Sequence, residues 1–139
     1  MEYEVEQIPD EDFLYRRINR EMIDNNSVKP AAFKQRLQDK GCLSVDWAKY
    51  SRPDETIKRT SVAAFNGCVS LKSGNVRYYH LAVEHRLSYS DNRAHSVVHS
   101  VIYKAEQERF EDLTFAQRVR LSRIAVIEVK PRDYLMSLN

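Results

Sequence analysis

The chain has 139 residues, of which 42% are hydrophobic, 30% charged and 10% aromatic, and its formal net charge is +2. A chain of that size buries roughly two-thirds of the surface its unfolded form exposes, so a single domain can fold without a disulfide or metal staple. Three glycines and four prolines exclude a collagenous or low-complexity chain.

No apolar run approaches the roughly 20 residues that cross a bilayer, and the acidic start lacks the form of a signal peptide. Cys42 and Cys68 make neither a metal-type pair nor a secreted disulfide framework. The expected setting is therefore cytoplasmic and reducing, with no membrane partner, no metal and no cofactor. Charge is unevenly spread. Residues 1–12 carry Glu2, Glu4, Glu6, Asp10, Glu11 and Asp12 and no Lys or Arg, which leaves fourteen acids against all twenty-two basic residues, about +8, on residues 13–139. The sequence thus predicts an acidic arm, 1–12, and a basic domain, 13–139, that attracts polyanions over a Debye length of about 8–10 Å. Such an arm could fold onto the basic face and compete there with a partner.

In chain order, residues 3–8 and 13–18 read as strands, rich in aromatic and β-branched types. Pro30 opens a predicted short helix that carries Phe33 and Leu37 on one face and ends at Gly41. Leu43–Trp47 alternates apolar and polar side chains, as a half-buried strand does. Ser51 followed by Pro53, Asp54 and Glu55 predicts a capped helix start. Ser73-Gly74-Asn75 reads as a turn. From Arg77 to Tyr89 the parities separate Tyr79, Leu81, Val83, His85 and Leu87 from Tyr78, His80, Ala82, Glu84 and Arg86, which predicts one long strand. Ala94, Val97, Val98, Val101, Ile102 and Ala105 recur at helical spacing, so an amphipathic helix is expected there. Thr114 and Gln117 form a capping pattern before a helix to about Ile124. Ala125–Val129 reads as a closing strand stopped by Pro131. The sum is a single α+β domain with a mixed or antiparallel sheet and three to four helices.

All four histidines, His80, His85, His95 and His99, lie within twenty residues. His85 falls on the apolar parity and is expected to be a hydrogen-bonded core residue. His80 and Glu84 would be roughly 13 Å apart on one strand, too far to work as a base and its orienting carboxylate. On a helix His95 and His99 would sit about 5–6 Å apart, close enough for two ligands on one metal. A zinc site needs three or four ligands, however, and the helix supplies only these two, with Glu106 two turns further on. Metal-independent RNA cleavage needs a general base, a general acid and a cation for the developing charge. His95, His99 and Arg93 are candidates for those roles, while Arg16, Arg17, Arg77, His80 and Arg86 are candidate ligand-binding residues. Arg16 and Arg17 must face opposite sides of a strand, so at most one of them is buried, and that one needs a carboxylate or an anion. Arg118, Arg120 and Arg123 scatter around the last helix and form no single reading face. No Gly-x-Ser-x-Gly elbow and no phosphate-cradling Gly-rich loop occurs.

Leu14-Tyr15-Arg16-Arg17, Ala32-Phe33-Lys34, Leu43-Ser44-Val45-Asp46 and Arg93-Ala94-His95-Ser96, taken in that order, resemble motifs of short uncharacterised bacterial proteins. The resemblance spans residues 14–96 and implies a bacterial, cytoplasmic protein without implying an activity. It draws attention to Arg16, Lys34, Ser44, Asp46 and His95. The order of Arg16 or Arg17, then Ser44, then Glu84 is also similar to that of ADP-ribosyl-transfer folds, an analogy of fold alone. The expected function is a non-catalytic binding or accessory module whose basic body engages a protein or nucleic-acid partner. The alternative is a small metal-independent nuclease or transferase that uses the His/Arg/Tyr cluster of residues 77–103.

Overall fold

Six strands form one sheet in the order β10-β5-β1-β4-β7-β6, and every pairing in it is antiparallel. The structure is a computed structural model, and it describes residues 3–87 and 91–133. In chain order the elements are β1 (Phe13–Ile18), β2 (Ile23–Asp24), β3 (Ser27–Val28), β4 (Cys42–Trp47), α1 (Pro53–Lys58), β5 (Gly67–Lys72), α2 (Ser73–Tyr78), β6 (Leu81–His85), β7 (His95–Ser100), β8 (Tyr103–Lys104), β9 (Arg109–Phe110), α3 (Phe115–Ile124) and β10 (Val126–Val129). β2 with β3 and β8 with β9 make two small antiparallel ribbons. The α+β class thus holds, with three α-helices and an antiparallel sheet. None of the described helices is long and apolar enough to cross a membrane.

Because side chains alternate along a strand, register assigns each residue to one of two faces. Leu14 pairs with Trp47 and Leu71, Val98 with Leu43 and Val83, and these six share the core face. Over them lie Phe33 from a 3₁₀ turn, Val76 of α2, Leu121 of α3 and Ile8 of the N-terminal arm, all buried. Each fully buried Leu or Phe side chain of this set contributes about 1.5–3 kcal/mol. Tyr15, Arg17, Ser44, Asp46 and His95 point to the second face. α1 packs beside them, for Arg17 Nη1 donates to the Thr56 carbonyl of α1 at 3.1 Å.

Several expectations need correction. Residues 94–105 are not a helix: β7 pairs on one side with β4 over five residues and on the other with β6. Val97 and Val98 are both buried because β7 is covered on both faces, so its apolar run has no alternation and imitates helical spacing. The long strand expected over 77–89 is shorter. Arg77 and Tyr78 finish α2, His80 takes a left-handed turn (φ +60°), and β6 spans only Leu81–His85. The end of that expected strand, Ser88 and Tyr89, lies outside the described residues. Ser73-Gly74-Asn75 opens α2 instead of making a free turn. The predicted 30–41 helix divides into 3₁₀ turns at Pro30–Phe33 and Leu37–Asp39; Phe33 is buried while Leu37 is 83% exposed. Residues 3–8 pair with no strand. Ser51 does not cap α1, since its hydroxyl is spent on Thr56 Oγ1, on the Arg52 carbonyl and on Arg59.

Candidate functional site

A cleft of about 860 Å³ opens on the second face of the sheet. Its floor is a cross-strand row: Tyr15 of β1 opposite Asp46 of β4, and Asp46 opposite His95 of β7. Asp46 is buried, 4% exposed, and its two oxygens are separately engaged. Oδ2 accepts from Arg59 Nη1 at 2.7 Å and Oδ1 from Asn92 Nδ2 at 2.8 Å. Arg59 Nη1 also donates to Ser51 Oγ at 2.7 Å, and Ser51 shares a 2.7 Å hydrogen bond with Thr56. Asp46 therefore ties α1, β4 and the segment before β7 into one wall of the cleft. Burial of this kind is tolerated because the charge is paired and hydrogen-bonded.

A second, smaller hollow of about 300 Å³ adjoins the first, and Arg17 and Ser44 line both. Along the joined groove Arg59 and Arg93 stand at one end, Arg17 in the middle, and Arg16, Lys34 and Arg36 at the other. Against those six cations the groove holds three carboxylates, Asp39, Asp46 and Asp91. Asp46 is taken by Arg59, and Asp39 by Arg36 at 2.9 Å. Burial tends to raise the Asp39 carboxyl, but its hydrogen bonds from Arg36 outweigh that and hold it below the usual carboxylate range. Arg17 has no carboxylate partner among the described residues; its only hydrogen bond goes to the neutral Thr56 carbonyl.

Arg16 is hydrogen-bonded by backbone carbonyls, with the Asp39 carboxylate near enough to favour its charge. β1 pairs with β5 along six residues but with β4 only at Leu14 and Tyr15, so β1 and β4 part company beyond Tyr15. Into that gap the Arg16 guanidinium donates from Nε to the Ala32 carbonyl at 2.7 Å and from Nη1 to the Ser44 carbonyl at 2.9 Å. Burial pushes its pKa down to about 10, which still leaves it charged at neutral pH.

Of the three candidate catalytic residues, the structure brings His95 and Arg93 to the cleft and leaves His99 out of it. His95 donates from Nδ1 to the Arg86 carbonyl at 2.9 Å, which fixes the neutral ring with its lone pair on Nε2. No described residue hydrogen-bonds that Nε2, so the ring can accept a proton from a group in the cleft. Tyr15, whose phenol is pushed up by burial and then by Glu128, lies two strands from His95 across Asp46, roughly 10 Å away. His99 is four residues further along the same strand, hence roughly 13 Å away. It is buried, stacked on Phe110 at 3.7 Å, and held between the Ser100 carbonyl (2.7 Å) and Glu84 (2.6 Å). The expectation that His95 and His99 act together as a pair, which rested on the helix, is therefore corrected by the strand. Glu84 is likewise committed to His99 and to Arg86 (3.0 Å), away from Ser44 and the cleft.

The remaining candidate ligand-binding residues do not join the groove. Arg77 pairs with Asp10 at 2.7 Å, His80 sits exposed in its turn, and Arg86 bonds Glu84 and the Cys42 thiol. His85 is a core histidine: Nδ1 accepts from the Glu6 N–H at 3.0 Å, and Nε2 donates to the Arg93 carbonyl at 2.6 Å. Sequence reasoning missed Arg59, Asn92 and Ser51. They come from segments up to 46 residues from Asp46, and the available signal was Asp46 itself, a carboxylate set between Val45 and Trp47 in an alternating strand. Among the described residues no three His, Cys, Asp or Glu side chains gather as metal ligands would. Scanned against family models, curated proteins and solved structures, the chain matches none.

Proposed function

We propose that this protein is a binding module for a phosphate-bearing ligand of the nucleic-acid class, taken up in the groove formed by the second-face cleft and the hollow that adjoins it. The observation that carries this reading is Arg17, a cation without a carboxylate partner among the described residues, placed where the two hollows meet and flanked by cations on both sides. A guanidinium so placed presents several N–H donors in one plane, the geometry that suits phosphate oxygens. Tyr15 at one end of the groove and Phe65 at the other supply ring surfaces on which bases can stack.

The test is fluorescence anisotropy of a labelled single-stranded RNA of about ten nucleotides, titrated at several salt concentrations against the wild type and Arg17→Ala. The expected plot of log affinity against log salt is linear, with a slope of about −0.7 for each phosphate engaged. Arg17→Ala weakens binding about tenfold and makes the slope shallower by about one contact. Failure of the wild type to bind at low salt, or equal binding by Arg17→Ala, overturns the reading.

A second reading rests on His95. With Nδ1 tied to the Arg86 carbonyl and no described residue on Nε2, this cleft-lining ring is suited to general-base chemistry in a nuclease or transferase. Arg17 and Arg93 would supply the cations, with no part for His99. Turnover of the bound RNA by wild type but not by His95→Ala supports this second reading; an intact strand after prolonged incubation leaves a binding module.

A further inference from the structure

The acidic arm ends its path at the rim of this groove. From Ile8 onward it is anchored: Ile8 is buried in the core, Asp10 pairs with Arg77 at 2.7 Å, and Asp12 accepts from Trp47 Nε1 at 2.9 Å. Before Ile8 the arm has few holds. Tyr3, Glu4, Val5 and Gln7 are exposed, and Glu6 alone turns inward. The Glu6 carboxylate accepts from Lys49 Nζ at 2.6 Å and from the Tyr50 hydroxyl, and lies 3.9 Å from Arg93. Tyr50 and Arg93 are also groove residues. The Arg93 guanidinium is sandwiched between the Tyr50 ring at 4.0 Å and the Tyr3 ring at 4.6 Å, and its Nε is buried with no hydrogen-bond partner among the described residues.

Lys49, Tyr50 and Arg93 thus converge two cations and a hydroxyl on one small anion, and the anion they hold is a side chain of a weakly held segment. We propose that this trio is an anion seat at the end of the groove, occupied in the resting protein by Glu6, so that the arm competes with a phosphate group of the ligand for it. The proposal rests on the groove reading above. A phosphate matches the seat because it offers more acceptor oxygens than a carboxylate and, like it, suits guanidinium and ammonium donors. Withdrawing the Glu6 side chain breaks its bonds to Lys49 and Tyr50 but can leave the Glu6 N–H on His85 Nδ1, and the exposed residues ahead of Ile8 have few buried contacts, hence a low local opening energy.

Trp47 makes the exchange visible. It is the chain's single tryptophan; its ring is 5.4 Å edge-on from Tyr50 and 5.1 Å from His85, and Lys49 Nζ lies 5.3 Å from it. The experiment titrates the full-length chain with the same single-stranded RNA, reading Trp47 emission, for wild type and three variants. Glu6→Gln keeps the backbone N–H to His85 and removes the carboxylate's charge. Glu6→Asp keeps the charge but withdraws the carboxylate by one methylene. Glu4→Gln removes a charge from an exposed neighbour on the same arm. Expected is binding about tenfold tighter for Glu6→Gln, the gain that follows when a competent state goes from about one-tenth populated to fully populated. Glu6→Asp gains less, and Glu4→Gln stays within about twofold of wild type. If Glu6→Gln and wild type bind alike, or Glu4→Gln tightens as much as Glu6→Gln, the arm is no competitor, although the groove reading stands. If neither wild type nor Glu6→Gln binds, both fail. Should Glu6→Gln lose its urea-unfolding transition, Glu6→Asp decides between the same outcomes.

Discussion

Truncating Asp46 to alanine should destabilise the fold by about 2–3 kcal/mol, because hydrogen bonds to a charged group contribute about 1.5–3 kcal/mol each and water can repair only some of the loss. The carboxylate is 4% exposed and receives two hydrogen bonds, from Arg59 at 2.7 Å and from Asn92 at 2.8 Å. Arg59 keeps its bond to Ser51, and at 28% side-chain exposure it can recover a water, which holds the cost below the full penalty of an unpaired buried charge. For a domain of this size the loss corresponds to a Tm drop of about 8 °C. Urea unfolding followed through the buried Trp47 measures it, with the slope against denaturant unchanged because the exposed area is the same. An Asp46→Ala midpoint equivalent to wild type within about 0.5 kcal/mol would refute the view that this carboxylate locks α1 to the sheet.

Other expectations follow from single contacts. Gly41 has φ +82° and a Cβ there would lie 2.7 Å from the Phe110 carbonyl carbon, so Gly41→Ala should cost more than about 2 kcal/mol in urea unfolding. His85→Ala removes a buried ring that holds Glu6 and Arg93 through its two nitrogens, and a loss of about 2–4 kcal/mol is expected in the same assay. The hydrogen bond from His99 holds the Glu84 carboxyl below its usual 4.5. A carboxyl with a depressed folded pKa binds fewer protons in the native state, so its stabilisation is present above that usual value and is lost as pH falls through the lower folded one. Glu84→Gln should therefore flatten the acid limb of stability below about pH 4.5. Burial pushes the Cys68 thiol up to about 12, so iodoacetamide should leave it unmodified in native protein and label it in urea.

The parts of this fold that could be read from sequence are those with one dry and one wet face. Leu43–Trp47, whose apolar and polar side chains alternate, is most of β4, and Phe13–Ile18, read from its aromatic and β-branched residues, is β1. Thr114 and Gln117 exchange the two capping hydrogen bonds at the start of α3 that their spacing foretold. β7 and β5 lie inside the sheet with nearly every residue buried, so neither has an alternation to read. β7 passed for a helix and β5 went unassigned. His80 was placed within a strand because parity cannot register a left-handed residue at a helix-to-strand turn. The groove divides along the same line. Arg17, Arg93 and His95 stood out by residue type, but their meeting with Arg59, Ser51 and Asn92 depends on pairing β1 with β4 and β4 with β7 across long loops. Arg16 shows that where two strands splay, backbone carbonyls can take a guanidinium's hydrogen bonds while a carboxylate, Asp39, acts on it only across space.

Where an anion docks is the most direct test, and a two-dimensional amide NMR titration with the single-stranded RNA reports it residue by residue. Shifts concentrated on Tyr15–Arg17, Ser44–Asp46 and Asn92–His95 are the expected result, with Glu6 and Lys49 following as the arm gives way. Shifts concentrated instead on Arg118–Arg123 of α3, with the second face of the sheet silent, would place binding on a surface helix and contradict the groove as the site.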